Sequence, residues 1–170
     1  MLVRIISMIL LANACVGFGA QAQEAVALPQ LQAYQTPAEW RIPVKPLRIA
    51  ENTWQIGTEG LTSLLLKGTE GAILIDGGLP QMADHLLANM RELGVAPADV
   101  KFVLFSHGHI DHVGPLAAIV RATGAKVISN AESAYQLAQG GADDIHFGDL
   151  LFAPVHVDRV VQDGETVTLG

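Results

Sequence analysis

Six consecutive residues carry the densest ligand chemistry in this sequence: His107-Gly108-His109-Ile110-Asp111-His112. Three of the chain's six histidines fall inside this window, with a carboxylate among them. Neutral imidazoles and carboxylates are the side chains that hold zinc where thiolate is absent, and the single cysteine, Cys15, lies far upstream. The spacing lets His107 and His109 turn to one side and Asp111 and His112 to the other, enough to begin sites for one or two Zn2+ ions. A structural zinc closes its coordination shell, whereas a catalytic one keeps a position for water, whose pKa falls to about 7 on the metal. The reaction class that follows is metal-assisted hydrolysis, with Asp111 as the catalytic carboxylate that ligates metal and orients the hydroxide. A histidine-rich surface loop is the plain alternative, but four ligand-type residues in one turn favour the metal. For His85 and His156, each isolated in the sequence, the plain reading holds: surface histidines, or core histidines satisfied by backbone carbonyls.

Several elements must position that motif. It follows residues 100–105, a nearly continuous apolar run bounded by Asp99 and Ser106, which reads as a strand buried on both faces. Sites in α/β sheets gather at the C-terminal ends of such strands. Upstream, residues 53–56, 63–67 and 72–76 are β-prone, and Gly68-Thr69-Glu70-Gly71 joins the last two as a hairpin. Met82, Leu86, Met90 and Leu93 recur with helical period over 81–93, and Gly94 stops them. Downstream come a helix from 114 or 115 to 123 closed by Gly124, a strand at 126–129, and a helix at 131–139 that Asn130 caps. This alternation indicates an α/β domain with a partly parallel sheet. Residues 140–155 form a long loop carrying Asp143, Asp144, His146 and Asp149. Two further β-prone runs, 157–162 and 166–169, flank Asp163-Gly164-Glu165.

Composition narrows the partner. With 170 residues, half of them hydrophobic, the chain can bury one aliphatic core. Seventeen acidic against ten basic residues, with no basic run, exclude nucleic acid as the main partner, leaving a small molecule. One cysteine excludes an intramolecular disulfide framework. Residues 1–22 read as a secretory signal peptide: Arg4 supplies the charge, 5–19 are largely apolar, and Ala20-Gln21-Ala22 is a small-x-small cleavage site. The apolar stretch falls short of the roughly 18 residues of a membrane span, so no stable membrane anchor is expected. A lipoprotein signal at Cys15 fits poorly. Localisation is therefore expected to be periplasmic or secreted, in a bacterium. Residues 23–47, with four prolines, read as an N-terminal arm anchored by Trp40, and 48–170 as the domain.

At the motif the chain resembles the metallo-β-lactamase superfamily. The likeness continues through Ile56-Gly57-Thr58-Glu59-Gly60-Leu61-Thr62-Ser63, Leu74-Ile75-Asp76-Gly77-Gly78-Leu79-Pro80, Asp99-Val100-Lys101 and Asp163-Gly164-Glu165, which look like segments of class B β-lactamases of the third subclass. The resemblance implies a four-layer αβ/βα sandwich of two similar halves, of which the first half and the start of the second lie here. It implies that His107 and His109 ligate a first zinc and Asp111 and His112 a second. Asp76 would be the buried carboxylate that braces the metal loop, a solvated turn carboxylate being the plain alternative. Asp143 and Asp144 resemble an acidic pair in the loop bordering the active site, which a simple polar loop explains equally well. His146 is not at a ligand position, and no substrate-binding residue is assigned. Each zinc in the family takes another histidine from later in the chain. Only His146 and His156 follow the motif here, in other contexts, so the chain is expected to be an N-terminal fragment of an enzyme monomeric at full length. The implied activity is zinc-dependent hydrolysis of the β-lactam ring of antibiotics by a metal-bound hydroxide, hence antibiotic resistance. The alternatives are a hydrolase of the same fold acting on a lactone or thioester, or a catalytically incompetent truncated fragment. The isolated 170 residues are expected to be weakly active or inactive.

Overall fold

The computed structural model describes residues 36–142, 144–148 and 150–170. The expected signal peptide at 1–22, most of the expected arm, Asp143 and Asp149 lie outside the described residues. Seven strands form one sheet in chain order: β1 (Leu47–Ala50), β2 (Thr53–Gln55), β3 (Leu64–Gly68), β4 (Gly71–Ile75), β5 (Val100–Leu104), β6 (Lys126–Ser129) and β7 (Arg159–Val160). The first four are an antiparallel meander, because short turns such as the one closing Gly68 onto Gly71 can only reverse the chain. From β4 to β7 pairing is parallel. Each parallel return needs a crossover, and the helices supply two of them: α1 (Ala83–Glu92) between β4 and β5, and α2 (Ile110–Val113) with α3 (Leu116–Thr123) between β5 and β6. α4 (Ala131–Gln139) follows β6.

Strand alternation decides which residues enter the core. Leu65, Ala72, Leu74, Val103 and Val127 are buried together with Leu86 and Met90 of α1, Leu116 and Ile119 of α3, and Leu137 of α4. Each such aliphatic side chain contributes roughly 1.5–3 kcal/mol when fully buried. On the opposite face Leu64, Leu66, Ile73, Ile75, Phe102 and Leu104 are only half-buried. β5 is therefore not buried on both faces as its apolar run suggested. Lys101 is exposed and Phe102 half-buried, because the helices cover one side of the sheet.

Local signals held where capping chemistry is explicit. Asn130 accepts the Ser133 backbone N–H at 2.8 Å, and Gly124 and Gly140 end α3 and α4 in the left-handed region. Trp40 packs against Leu61, Leu79 and Met82, as an anchor of the arm should. Two strand assignments changed. β1 lies at the edge of the segment read as irregular. Residues 166–169 form no strand, having no ladder partner among the described residues. The long loop after α4 is tied down by Phe147, Phe152 and Val155, all buried in the core. No helix among the described residues is long and apolar enough to cross a membrane.

Candidate metal centre

The site assembles at the C-terminal ends of β4 and β5. Past β4, Asp76 N–H donates to the Leu104 carbonyl at 3.0 Å, so the ladder with β5 reaches the site. Asp76 has φ of 60°, the one non-glycine residue in the left-handed region among the described residues. That conformation costs an ordinary side chain about 1–2 kcal/mol, and Asp and Asn enter it most readily because their short polar groups bond locally. Gly77 N–H donates to the His112 carbonyl at 2.7 Å, and Gly78 bridges Val113. These contacts clamp the motif's second half onto β4. A Cβ on Gly77 would sit 2.7 Å from Pro115 Cγ, so a side chain there would push the two segments apart.

Sequence spacing left the motif as a loop, but its second half is helical. His109 has an extended backbone and its carbonyl accepts the N–H groups of His112 and Val113 at 2.9 and 3.0 Å, starting α2. Ile110 and Val113, three residues apart on that turn, are both buried and pin it to the core. This turn brings ligand atoms of His107, Asp111 and His112 within 4.8 Å of one another. The His107 and His112 rings meet at a centroid distance of 4.0 Å, and His109 touches His107 edge-on at 4.6 Å.

Ser106 and Asp76 orient this cluster. Asp76 Oδ1 accepts the Ser106 N–H at 2.8 Å and its hydroxyl at 3.2 Å. Ser106 Oγ is also 3.0 Å from His107 Nδ1 and 3.2 Å from His112 Nδ1, and Asp76 Oδ2 is 3.3 Å from His112 Nδ1. With its proton on Asp76, the hydroxyl oxygen can accept Nδ1–H of His107, and Asp76 Oδ2 that of His112, the tautomers that would leave each Nε2 lone pair for a cation. Asp76 thus lies against the motif and contacts both Ser106 and His112. Ser106 escaped the sequence reading, its only signal being adjacency to the motif.

Electrostatics follow from these contacts. Burial alone would raise Asp76, but hydrogen bonds from His112 and Ser106 and the charge of His112 hold its carboxyl below the ordinary range. Burial opposes the charge on His112 as well, yet the Asp76 hydrogen bond and the charges of Asp76 and Asp111 lift its pKa. His107 is pushed down by burial and by repulsion from His112 and His109, against the weaker pull of Asp111 and Asp76. Asp111 is buried; its Oδ2 is 3.5 Å from His112 Nε2, while Oδ1 has no hydrogen-bond partner among the described residues. A buried carboxylate oxygen without a partner is costly, and a cation between these donors would satisfy it. Two imidazoles, a buried carboxylate and no thiolate are a donor set that fits zinc.

The remaining candidates separate. His109 Nε2 faces Asp144 Oδ2 at 3.7 Å, and its ring lies 5.5 Å from His146 and 5.4 Å from Phe147. The loop from α4 thus borders the motif, as expected. His85 is structural: its Nε2 is 2.7 Å from the Gly57 carbonyl. His156 is exposed, beside Arg121 and Lys126 and away from the cluster.

Comparison with known proteins agrees with this architecture. A class B3 di-zinc metallo-beta-lactamase from an Alaskan soil metagenome superposes with TM-score 0.76 at 36% identity, over 80% of this chain and 52% of that one. A metallo-beta-lactamase of Cronobacter sakazakii with a HARLDQ motif superposes with TM-score 0.74 at 42% identity, over 77% of this chain and 51% of that one. This chain reads His-Gly-His-Ile-Asp-His at 107–112. A UPF0173 metal-dependent hydrolase of Rhizobium johnstonii is 31% identical over 90 residues, 53% of this chain and 37% of the relative. The chain thus spans about half the length of these solved structures and less of the curated hydrolase. The family model of the metallo-beta-lactamase superfamily matches residues 57–169, from the meander through the motif to the last described residues, and the chain belongs to that superfamily.

Proposed function

We propose that this chain supplies the zinc-binding edge of a hydrolase that opens the β-lactam ring of antibiotics in the bacterial periplasm or outside the cell. The observation that carries the metal is the His107, Asp111 and His112 cluster with its unpartnered, buried Asp111 oxygen. Identity of 36% to a class B3 di-zinc metallo-beta-lactamase supports the substrate class, and the leader-like residues 1–22 support the compartment. Zinc, when bound, lowers the pKa of a water to about 7 and polarises a carbonyl. The chain's own residues do the rest. Ser106 and Asp76 hold the Nδ1 protons of His107 and His112, keeping each Nε2 as donor to the metal. Asp111, held on α2 by buried Ile110 and Val113, would help hold the metal through its buried carboxylate. His109, beside Phe147, would supply a further imidazole from the side of the 140–155 loop.

The relative named only as a metal-dependent hydrolase leaves the substrate open, and the second reading is the same centre acting on a lactone or thioester. Zinc content and turnover of a carbapenem and an acyl lactone, measured on the protein purified from its native gene, separate the two. Stoichiometric zinc with carbapenem hydrolysis lost in His107→Ala is the expected result; turnover of the lactone alone overturns the β-lactam reading.

A further inference from the structure

Two of the motif's histidines have their second ring nitrogen assigned by Ser106 and Asp76, both of which flank the motif in the fold. His109 is served from elsewhere. We propose that Asp144 is its positioning residue, holding His109 as the Nε2–H tautomer so that Nδ1 is the nitrogen left free as a ligand. The inference rests on reading residues 107–112 as a zinc centre.

The two oxygens of Asp144 do different things. Oδ1 accepts the backbone N–H groups of His146 at 2.8 Å and Phe147 at 3.0 Å, which folds the loop tip back on itself. Oδ2 is turned to His109 Nε2 at 3.7 Å. That separation is roughly half an ångström beyond an N–H···O bond, close enough for the carboxylate charge to favour a proton on Nε2. The Asp144 side chain is only 5% exposed, against 28% for His109, so the carboxylate is withdrawn from water on the side facing the ring. Phe147, buried in the core, keeps the loop against the His109 edge at 5.4 Å. A ligating histidine commonly gives its other N–H to a carboxylate, which fixes the tautomer and raises the basicity of the ligand nitrogen. Asp144 is the carboxylate the structure places to do this for His109.

The division of labour gives a clean test. Asp144→Asn retains the Oδ1 acceptor, and with it the loop's two backbone hydrogen bonds, but puts an NH2 donor where Oδ2 faced the ring. An amide donor there favours a lone pair on Nε2 and moves the proton to Nδ1. Asp144→Glu keeps a carboxylate able to reach His109. The tautomer is read by long-range 1H–15N NMR of the imidazoles in metal-free protein under mildly alkaline conditions, with His109→Gln to assign the signals. Zinc affinity is read separately by chelator competition. We expect Nε2–H at His109 in the wild type, a shift to Nδ1–H in Asp144→Asn, a 10–100-fold loss of zinc affinity in that variant, and partial recovery in Asp144→Glu. Nδ1–H at His109 in the wild type, or wild-type zinc affinity in Asp144→Asn, overturns the proposal. Should Asp144→Asn fail to fold, the wild-type tautomer alone decides. Absence of zinc binding in the wild type would refute the metal reading, while the tautomer measured without metal still reports on Asp144.

Discussion

Asp76 combines a strained backbone with a bracing carboxylate, and substitutions separate the two. Its φ of 60° is tolerated by Asn nearly as well as by Asp, so Asp76→Asn tests the carboxylate alone. Asn can keep one oxygen for the Ser106 N–H, but it has no second acceptor for His112 Nδ1, which faces Oδ2 at 3.3 Å. A hydrogen bond to a charged group contributes about 1.5–3 kcal/mol. With side-chain exposures of 12% and 23% this pair is shielded enough for that range to apply. Asp76→Asn should therefore lower unfolding free energy by about 1.5–3 kcal/mol at mildly acidic pH, between the ordinary carboxylate and histidine values, and Asp76→Ala by a further 1–2 kcal/mol or so for the left-handed backbone. Zinc affinity should fall about 10–100-fold in both, since His112 loses the partner that orients it. Urea unfolding of the metal-free chain gives the first quantity and chelator competition the second. The pH dependence has a definite sign. The folded pKa of Asp76 is depressed, so its contribution is complete above the ordinary carboxylate value and disappears as pH falls through the folded one. His112 is raised, so its charge contributes fully below the ordinary histidine value and is lost as pH rises through the folded one. The wild type and Asp76→Asn should differ most between those limits and converge in acid. An Asn variant as stable as the wild type across that window, or an Ala variant no worse than Asn, would refute the reasoning.

Two further expectations concern the centre and its clamp. Zinc at 100 times its dissociation constant should stabilise the chain by about 2.7 kcal/mol, with protons released on binding because His112, raised in pKa, must give one up; calorimetry in two buffers of different ionisation enthalpy measures both, and no stabilisation by zinc would contradict the donor-set argument. Gly77→Ala forces a methyl to 2.7 Å from Pro115 Cγ and 3.1 Å from Leu116 Cδ2, so overpacking should cost about 1–3 kcal/mol in urea unfolding; an unchanged midpoint would mean that β4 and α3 are not held together at this point.

What the sequence made legible was chemistry whose partners are close along the chain. The hairpin closing at Gly68 and Gly71, the Asn130 cap, the Gly124 stop and the apolar run before the motif each depend on a few neighbouring residues, and each stands where it was read. β1 was obscured because Pro43 and Pro46 precede it. Its four residues are all exposed, so no buried alternation marks them, and pairing with β2 alone defines the strand. The motif shows the same limit on a smaller scale. Ligand types and their positions were plain, yet their grouping was not, because spacing alone does not say whether six residues form a loop or enter a helix. Buried Ile110 and Val113 make the second half a helical turn, which swings Asp111 and His112 toward His107 and leaves His109 facing the later loop. The groups that flank the cluster, Ser106 just past β5 and Asp144 from beyond α4, are common polar residues whose contacts exist only once those segments meet. A motif read from sequence therefore names candidate ligands, while the polar groups that reach each histidine's ring nitrogens belong to the fold.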